Sequence, residues 1–195
     1  MNPEQRLIYP LSEFYEQLGL PLPAVTRVEG DAIPEPYRSL LVHDRDMTPT
    51  LERAHDRSIL LRVLRRALVG DVLSRQVVLV PEGSSVPAAF GAIKIHLEHF
   101  PDEAKPLVLE GKQPLGAILR AQGIEHRGRP EAYVQITADA LIHGALGLME
   151  PVRLYGRRNT LVDAAGRTLA QVIDILPPKN GNSNTERNRA QSESI

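Results

Sequence analysis

The 195-residue chain has no cysteine and no tryptophan, and aromatic residues make up only 4% of it. Without thiols there can be no disulfide framework, no thiolate nucleophile and no thiolate metal ligand, which suits a reducing cytosol. Scarce aromatics leave few platforms on which single-stranded nucleic acid could stack. An excess of either charge is missing too. Lys+Arg 23 stand against Asp+Glu 24, a formal net charge of −1, so no global basic field attracts nucleic acid or an anionic membrane surface. The opening residues MNPEQRLIYPLSEFYEQLG hold no apolar run of signal length, and no later segment reaches the length of a membrane span. These absences lead to the expectation of a cytoplasmic protein acting on a small molecule, with no nucleic-acid partner and no membrane span. A hydrophobic content of 42% is enough for one globular domain with a continuous core.

Helical signals come first. LSEFYEQLG (11–19) has Ser12 as a candidate N-cap, apolar residues at helical spacing and Gly19 as a stop. A proline-punctuated extended connector follows to about residue 35. PYRSLLVHDRDMTPTLERAHD (36–56) predicts two short helices around HDRDMT, and 101–123 predicts two more, the second running from Pro114 to Gly123. Strand signals fill the rest. Segments 58–70 and 71–81 form a hairpin about Val69-Gly70-Asp71, 85–100 and 131–136 are further strands, and the last pair turns at Asp163 to Gly166. DALIHGALGLM (139–149) stays ambiguous between helix and strand. The predicted class is α+β: a single antiparallel β-sheet with helices in separate blocks. The domain is expected over 1–178, and 179–195, which has almost nothing to bury, is expected to be a disordered tail.

Two charges stand in the wrong company. In DVLSRQVVLV, Arg75 shares a strand face with Leu73, Val77 and Leu79; in LAQVIDILP, Asp174 shares one with Val172 and Leu176. They could satisfy each other as a buried ion pair, or they could wall a pocket that binds a carboxylate and handles a proton. Other polar clusters read as structural. His43-Asp44-Arg45-Asp46 is expected to be a solvated loop, and one of Arg157 and Arg158 should point outward. Arg62, Arg65 and Arg66 mark an edge strand. His96 and His99 lack a third partner, so no metal site is expected.

DMTPTLE (46–52), LSRQVVL (73–79), GKQPLG (111–116) and YGRR…GRTLAQVIDILP (155–177), in this order, resemble the chorismate lyase family, over about residues 36–177. That family splits chorismate into 4-hydroxybenzoate and pyruvate without a cofactor, in a fold shared with effector domains of bacterial regulators. Helical flaps there cover a buried pocket. The resemblance implies that Arg75 binds the substrate carboxylate, that Met47 and Leu115 contact ligand largely through backbone, and that a final-strand carboxylate, Asp174, is the acid. The family's ubiquinone-pathway members carry a glutamate at that place. An ungapped match sets Ile173 there, and a one-residue shift sets Asp174. Three readings are left open: chorismate lyase, a related enzyme with another hydroxybenzoate product, and a non-catalytic domain binding a small aromatic carboxylate.

Overall fold

A computed structural model describes residues 1–178; the expected tail 179–195 lies outside them. One seven-stranded, wholly antiparallel sheet organises the chain. Its strands are β1 (Val25–Val28), β2 (Ile59–Val69), β3 (Val72–Pro81), β4 (Ala89–His96), β5 (His126–Thr137), β6 (Arg153–Asp163) and β7 (Thr168–Leu176). They lie in the order β1-β5-β6-β7-β4-β3-β2. Two meanders, β2-β3-β4 and β5-β6-β7, therefore abut along a β4/β7 seam. The hairpins arise where expected: Gly70 turns β2 into β3 and Gly166 turns β6 into β7, both with positive φ. β2 is an edge strand, and Arg62, Arg65 and Arg66 lie on it as anticipated.

Among the described residues, seven short α-helices cover the sheet: α1 (Pro3–Leu7), α2 (Leu11–Gln17), α3 (Tyr37–Leu41), α4 (Met47–His55), α5 (Lys105–Glu110), α6 (Leu115–Ala121) and α7 (Ala140–Leu146). The ambiguous segment after residue 139 is the helix α7. Asp139 caps it by accepting from the Ile142 N–H at 3.0 Å, and Gly147 ends it in the left-handed region. Two local expectations differ. Ser12 is buried inside α2 rather than capping it. The connector contains β1, which pairs with β5 from Val25↔Ile136 to Val28↔Tyr133 and so ties the N-terminal region into the sheet.

The two faces are packed differently. On one, Val78, Phe90, Ile173 and Ile175 join α1, α2 and α7 in a single continuous core. On the other, the apolar packing splits into two groups. Leu73, Ile95, Leu161 and Ala170 pack against α5 and α6, while Leu79, Ala89 and Leu176 pack against α3 and α4. Between these groups the apolar packing is interrupted, and a cavity remains.

Candidate functional site

The cavity floor is set by strand register. Arg75, Ile93, Val172 and Asn159 form one cross-strand row from β3 to β6, and Val77, Gly91, Asp174 and Arg157 form the next. Directly opposed residues in a sheet share a face, so the seven side chains of these rows project to the same side, and Gly91 contributes none. Its rim is the first turns of α4 and α6, with Met47, Thr48, Leu115 and Gly116. The cavity volume is about 80 Å³, room for several water-sized spheres. All four residues singled out from the sequence, Met47, Arg75, Leu115 and Asp174, line this one cavity. A larger cleft of about 250 Å³ beside α3, α4 and the end of α7 is lined by no Asp, Glu, Lys or Arg.

Arg75 is 2% exposed. Its Nη1 donates to the Val108 carbonyl at 3.4 Å, its Nε has no partner, and no carboxylate among the described residues pairs with it. Burial, and then the like charge of Arg66 beside it in the register, push its guanidinium down to about 10. A buried cation without an anion is costly and is the feature a carboxylate ligand would relieve.

Asp174 does not pair with Arg75, contrary to the ion-pair alternative. Its neighbour is Arg157, directly opposite on β6, with Nη2 3.9 Å from Oδ2. That is too long for a hydrogen bond. Burial dominates: it pushes the Asp174 carboxyl up to about 6, against the lowering effect of Arg157 and with a smaller raising effect from Asp46. Ile173 points into the core on the opposite face, fully buried, and Asp174 faces the cavity.

Arg157 is 1% exposed and is the inward member of its pair; Arg158, half-buried, hydrogen-bonds Glu131 on the other face. Arg157 Nη1 donates to the carbonyls of His43 at 2.8 Å and Arg45 at 3.3 Å. It also reaches His43 Nδ1 at 3.1 Å, while His43 Nε2 donates to the Leu40 carbonyl at 2.8 Å. This pattern needs neutral His43, and desolvation together with Arg157 lowers its pKa accordingly. The segment read as a solvated loop is therefore pinned to the sheet. Gly128 allows the approach: a Cβ there would stand 2.4 Å from the Asp44 carbonyl oxygen.

Asp46 holds the covering helices together. It stands at the N-cap position of α4 yet makes no side-chain cap. Instead it accepts from His126 Nε2 at 3.1 Å and Arg120 Nη1 at 3.3 Å, and packs against Gly116 of α6. His126 faces a second acceptor, the Ile124 carbonyl, 3.0 Å from Nδ1. Two acceptors favour the doubly protonated ring, so the His126 pKa rises, chiefly through its bond to Asp46, and that of Asp46 falls.

Sequence reading missed Arg157, Asn159, Asp46 and His126. Alternation along 155–161 does place Arg157, Asn159 and Leu161 together, but which face is inward depends on pairing with β7. His96 and His99 stack with ring centroids 6.2 Å apart, and His99 Nδ1 binds the Thr168 carbonyl. Among the described residues no group of three or more His, Cys, Asp or Glu could hold a metal. No helix among them is long and apolar enough to cross a membrane.

No protein-family model and no curated protein matches this sequence. Solved structures do resemble the fold. The effector domain of PhnF from Mycobacterium smegmatis superposes with a TM-score of 0.53 at 16% identity, over 69% of this chain and 90% of that one. The ligand-binding domain of a protein assigned to the GntR family of transcriptional regulators in Bordetella bronchiseptica gives 0.50 at 14% identity, over 62% and 86%. At such identities the likeness concerns the backbone alone: this chain has the α+β fold of regulator effector domains.

Proposed function

We propose that the cavity binds a small aromatic carboxylate, with the carboxylate on Arg75 and the ring over Ile93 and Val172. One observation carries this: a guanidinium buried in the cavity with no carboxylate partner among the described residues. A planar, permanently charged fork suits a carboxylate in two-point contact. The likeness to effector and ligand-binding domains supports a binding domain of this kind, one without catalysis.

A second reading, chorismate lyase, is favoured by Asp174. A carboxyl raised to about 6 in the same cavity is suited to proton transfer near neutral pH. In chorismate the ether C–O bond breaks, the adjacent ring carbon loses its proton, and the ring becomes aromatic. The protein then has to position the dianion, exclude water and hand a proton to the leaving enolpyruvyl group. Arg75 does the first, the α4 and α6 turns the second, and Asp174 in its acid form the third. No cofactor enters this scheme.

One experiment separates the readings. The purified protein is titrated calorimetrically with 4-hydroxybenzoate, then incubated with chorismate and the products resolved by chromatography. Binding without consumption supports the effector-type domain. Release of 4-hydroxybenzoate and pyruvate supports the lyase, and release of another hydroxybenzoate isomer the related enzyme. If neither compound binds, both readings fail.

A further inference from the structure

On the sheet face covered by α2 and α7, the core reaches β3 and leaves the edge strand β2 open. Val78 is buried there, whereas Leu60 and Leu64 of β2 are 51% and 41% exposed. Strict alternation along β2 would set Arg62 and Arg65 on opposite faces of the sheet. The pairing with β3 prevents that. It slips by one residue between Val63 and Arg65, so Leu64 is an extra residue, Arg62 stands opposite Val78, and Arg65 stands opposite Gln76. Val78 and Gln76 are two apart on β3 and share the face turned away from Arg75. The bulge therefore brings both arginines to the same side.

Arg62 and Arg65 line an open groove of about 660 Å³ between β2 and α7. Gln76 aside, the rest of its lining is apolar: Leu64 and Val78 from the sheet, Leu18 just past α2, and Leu141 and Ala145 among the α7 contributors. Gly144 sits within the helical wall, and a Cβ added there would meet nothing within 4 Å. No Asp or Glu lines the groove, and neither arginine hydrogen-bonds or ion-pairs with a described residue. Two free cations beside an apolar trough match a molecule with an anionic head and an aliphatic chain. A neutral lipid would leave the arginines unused, and a small anion would leave the apolar walls wet. Pairing of β2 with a second copy of itself is opposed by its three arginines and its lack of any acid.

We infer that this groove is a second binding site, for a free long-chain carboxylate whose head group is held by Arg62 and Arg65 and whose chain lies along α7. It is on the opposite face of the sheet from the Arg75 cavity, and no described residue lines both. The inference therefore stands apart from the aromatic-carboxylate reading. The chain covers Leu64 and Leu141, apolar surface that the fold itself leaves open.

The test is calorimetric titration with decanoate, below its micelle concentration, and with decan-1-ol as the neutral counterpart. The wild type should bind decanoate, and octanoate roughly tenfold less tightly, at about fourfold per methylene removed. The double variant Arg62→Gln/Arg65→Gln should lose roughly tenfold or more for the acid, bind acid and alcohol about equally, and bind 4-hydroxybenzoate as the wild type does. Gly144→Leu, which fills the groove and favours the helix, should weaken decanoate roughly tenfold without lowering the melting temperature. Should that variant fail to fold, the arginine pair, which alters only exposed side chains, decides the matter. Arg75→Met should leave decanoate binding unchanged. The inference is overturned if decanoate does not bind, if the alcohol binds the wild type as tightly as the acid, or if Arg75→Met abolishes binding. It is overturned equally if decanoate is met only in vesicles, which would make the face a membrane surface. Sedimentation showing a dimer that Gly144→Leu separates would assign the groove to a second copy instead.

Discussion

Replacing Arg75 with methionine should move ligand affinity and protein stability in opposite directions. The unbranched stem is kept to about the level of the arginine Nε, while the guanidinium and its charge disappear. In the free protein that charge is unfavourable: burial and Arg66 push the guanidinium down to about 10. Such a displacement corresponds to on the order of 3 kcal/mol against holding the cation in place. A folded-state pKa below the unfolded one, for a cation, means that the charged form favours unfolding throughout the pH range below it. Methionine removes this term and gives up one hydrogen bond, the 3.4 Å contact to the Val108 carbonyl. Each kcal/mol moves the melting temperature of a chain this size by about 2–4 °C. Arg75→Met should accordingly melt at or a few degrees above the wild type. Binding should weaken instead, because the ligand carboxylate loses its desolvated partner. Losses of about 2–5 kcal/mol are usual for such pairs, roughly 30- to 5,000-fold in Kd. Differential scanning calorimetry and titration with 4-hydroxybenzoate measure both quantities on one sample. A variant that melts several degrees lower and binds normally would show that Arg75 is structural, and the argument from its missing partner would be refuted.

Asp174→Asn should cut any chorismate turnover by about 10²–10⁴-fold while leaving the fold intact. Because the folded carboxyl is raised to about 6, the native state holds a proton that the unfolded chain releases nearer 4. Its contribution to stability is therefore fully present below about pH 4 and is lost as pH rises toward 6, so urea denaturation should find the variant the more stable at neutral pH and not in acid. Asp46→Asn should bring the His126 NMR titration down toward an ordinary imidazole value, and an unmoved titration would exclude the clasp. The pairing should be strongest in the window above the lowered Asp46 pKa and below the raised His126 pKa; protonating Asp46 or deprotonating His126 weakens it. Gly91→Ala should cost roughly 2–3 kcal/mol in urea melts, since its Cβ would lie 1.9 Å from the Ile173 carbonyl oxygen across the seam. A loss under about 0.5 kcal/mol would mean that the β4 and β7 strands part easily there.

What could be read from the sequence was whatever depends on neighbours along the chain. The hairpin at Gly70, the paired helices around residue 46 and the start of α6 after Pro114 all follow from local punctuation. Arg75 and Asp174 stood out because alternation alone sets each among aliphatic side chains. Their relation to one another did not, because β4 lies between their strands and nothing local reveals that. The same limit hid Arg157. It is one of two adjacent arginines, and only pairing with β7 determines that 157 turns inward and 158 toward Glu131. Asp46 and His126 are 80 residues apart and meet where the segment before α4 crosses β5. The β1 strand was missed for a related reason: four residues between prolines carry too little pattern until an edge of β5 is there to receive them.

The sheet's pleat divides the labour by parity. Along β3, β4 and β6 the odd-numbered positions around the cavity face the ligand space, and along β7 the even-numbered ones do; their neighbours enter the unbroken core beneath. A complete substitution scan should therefore show tolerance oscillating with a two-residue beat. Positions 173 and 175 would govern whether the chain folds, and positions 172 and 174 what the folded chain holds. A frameshifted repair of two single-residue indels flanking β7 would exchange these roles outright, leaving the composition almost untouched while turning an acid into the core and an isoleucine toward the ligand.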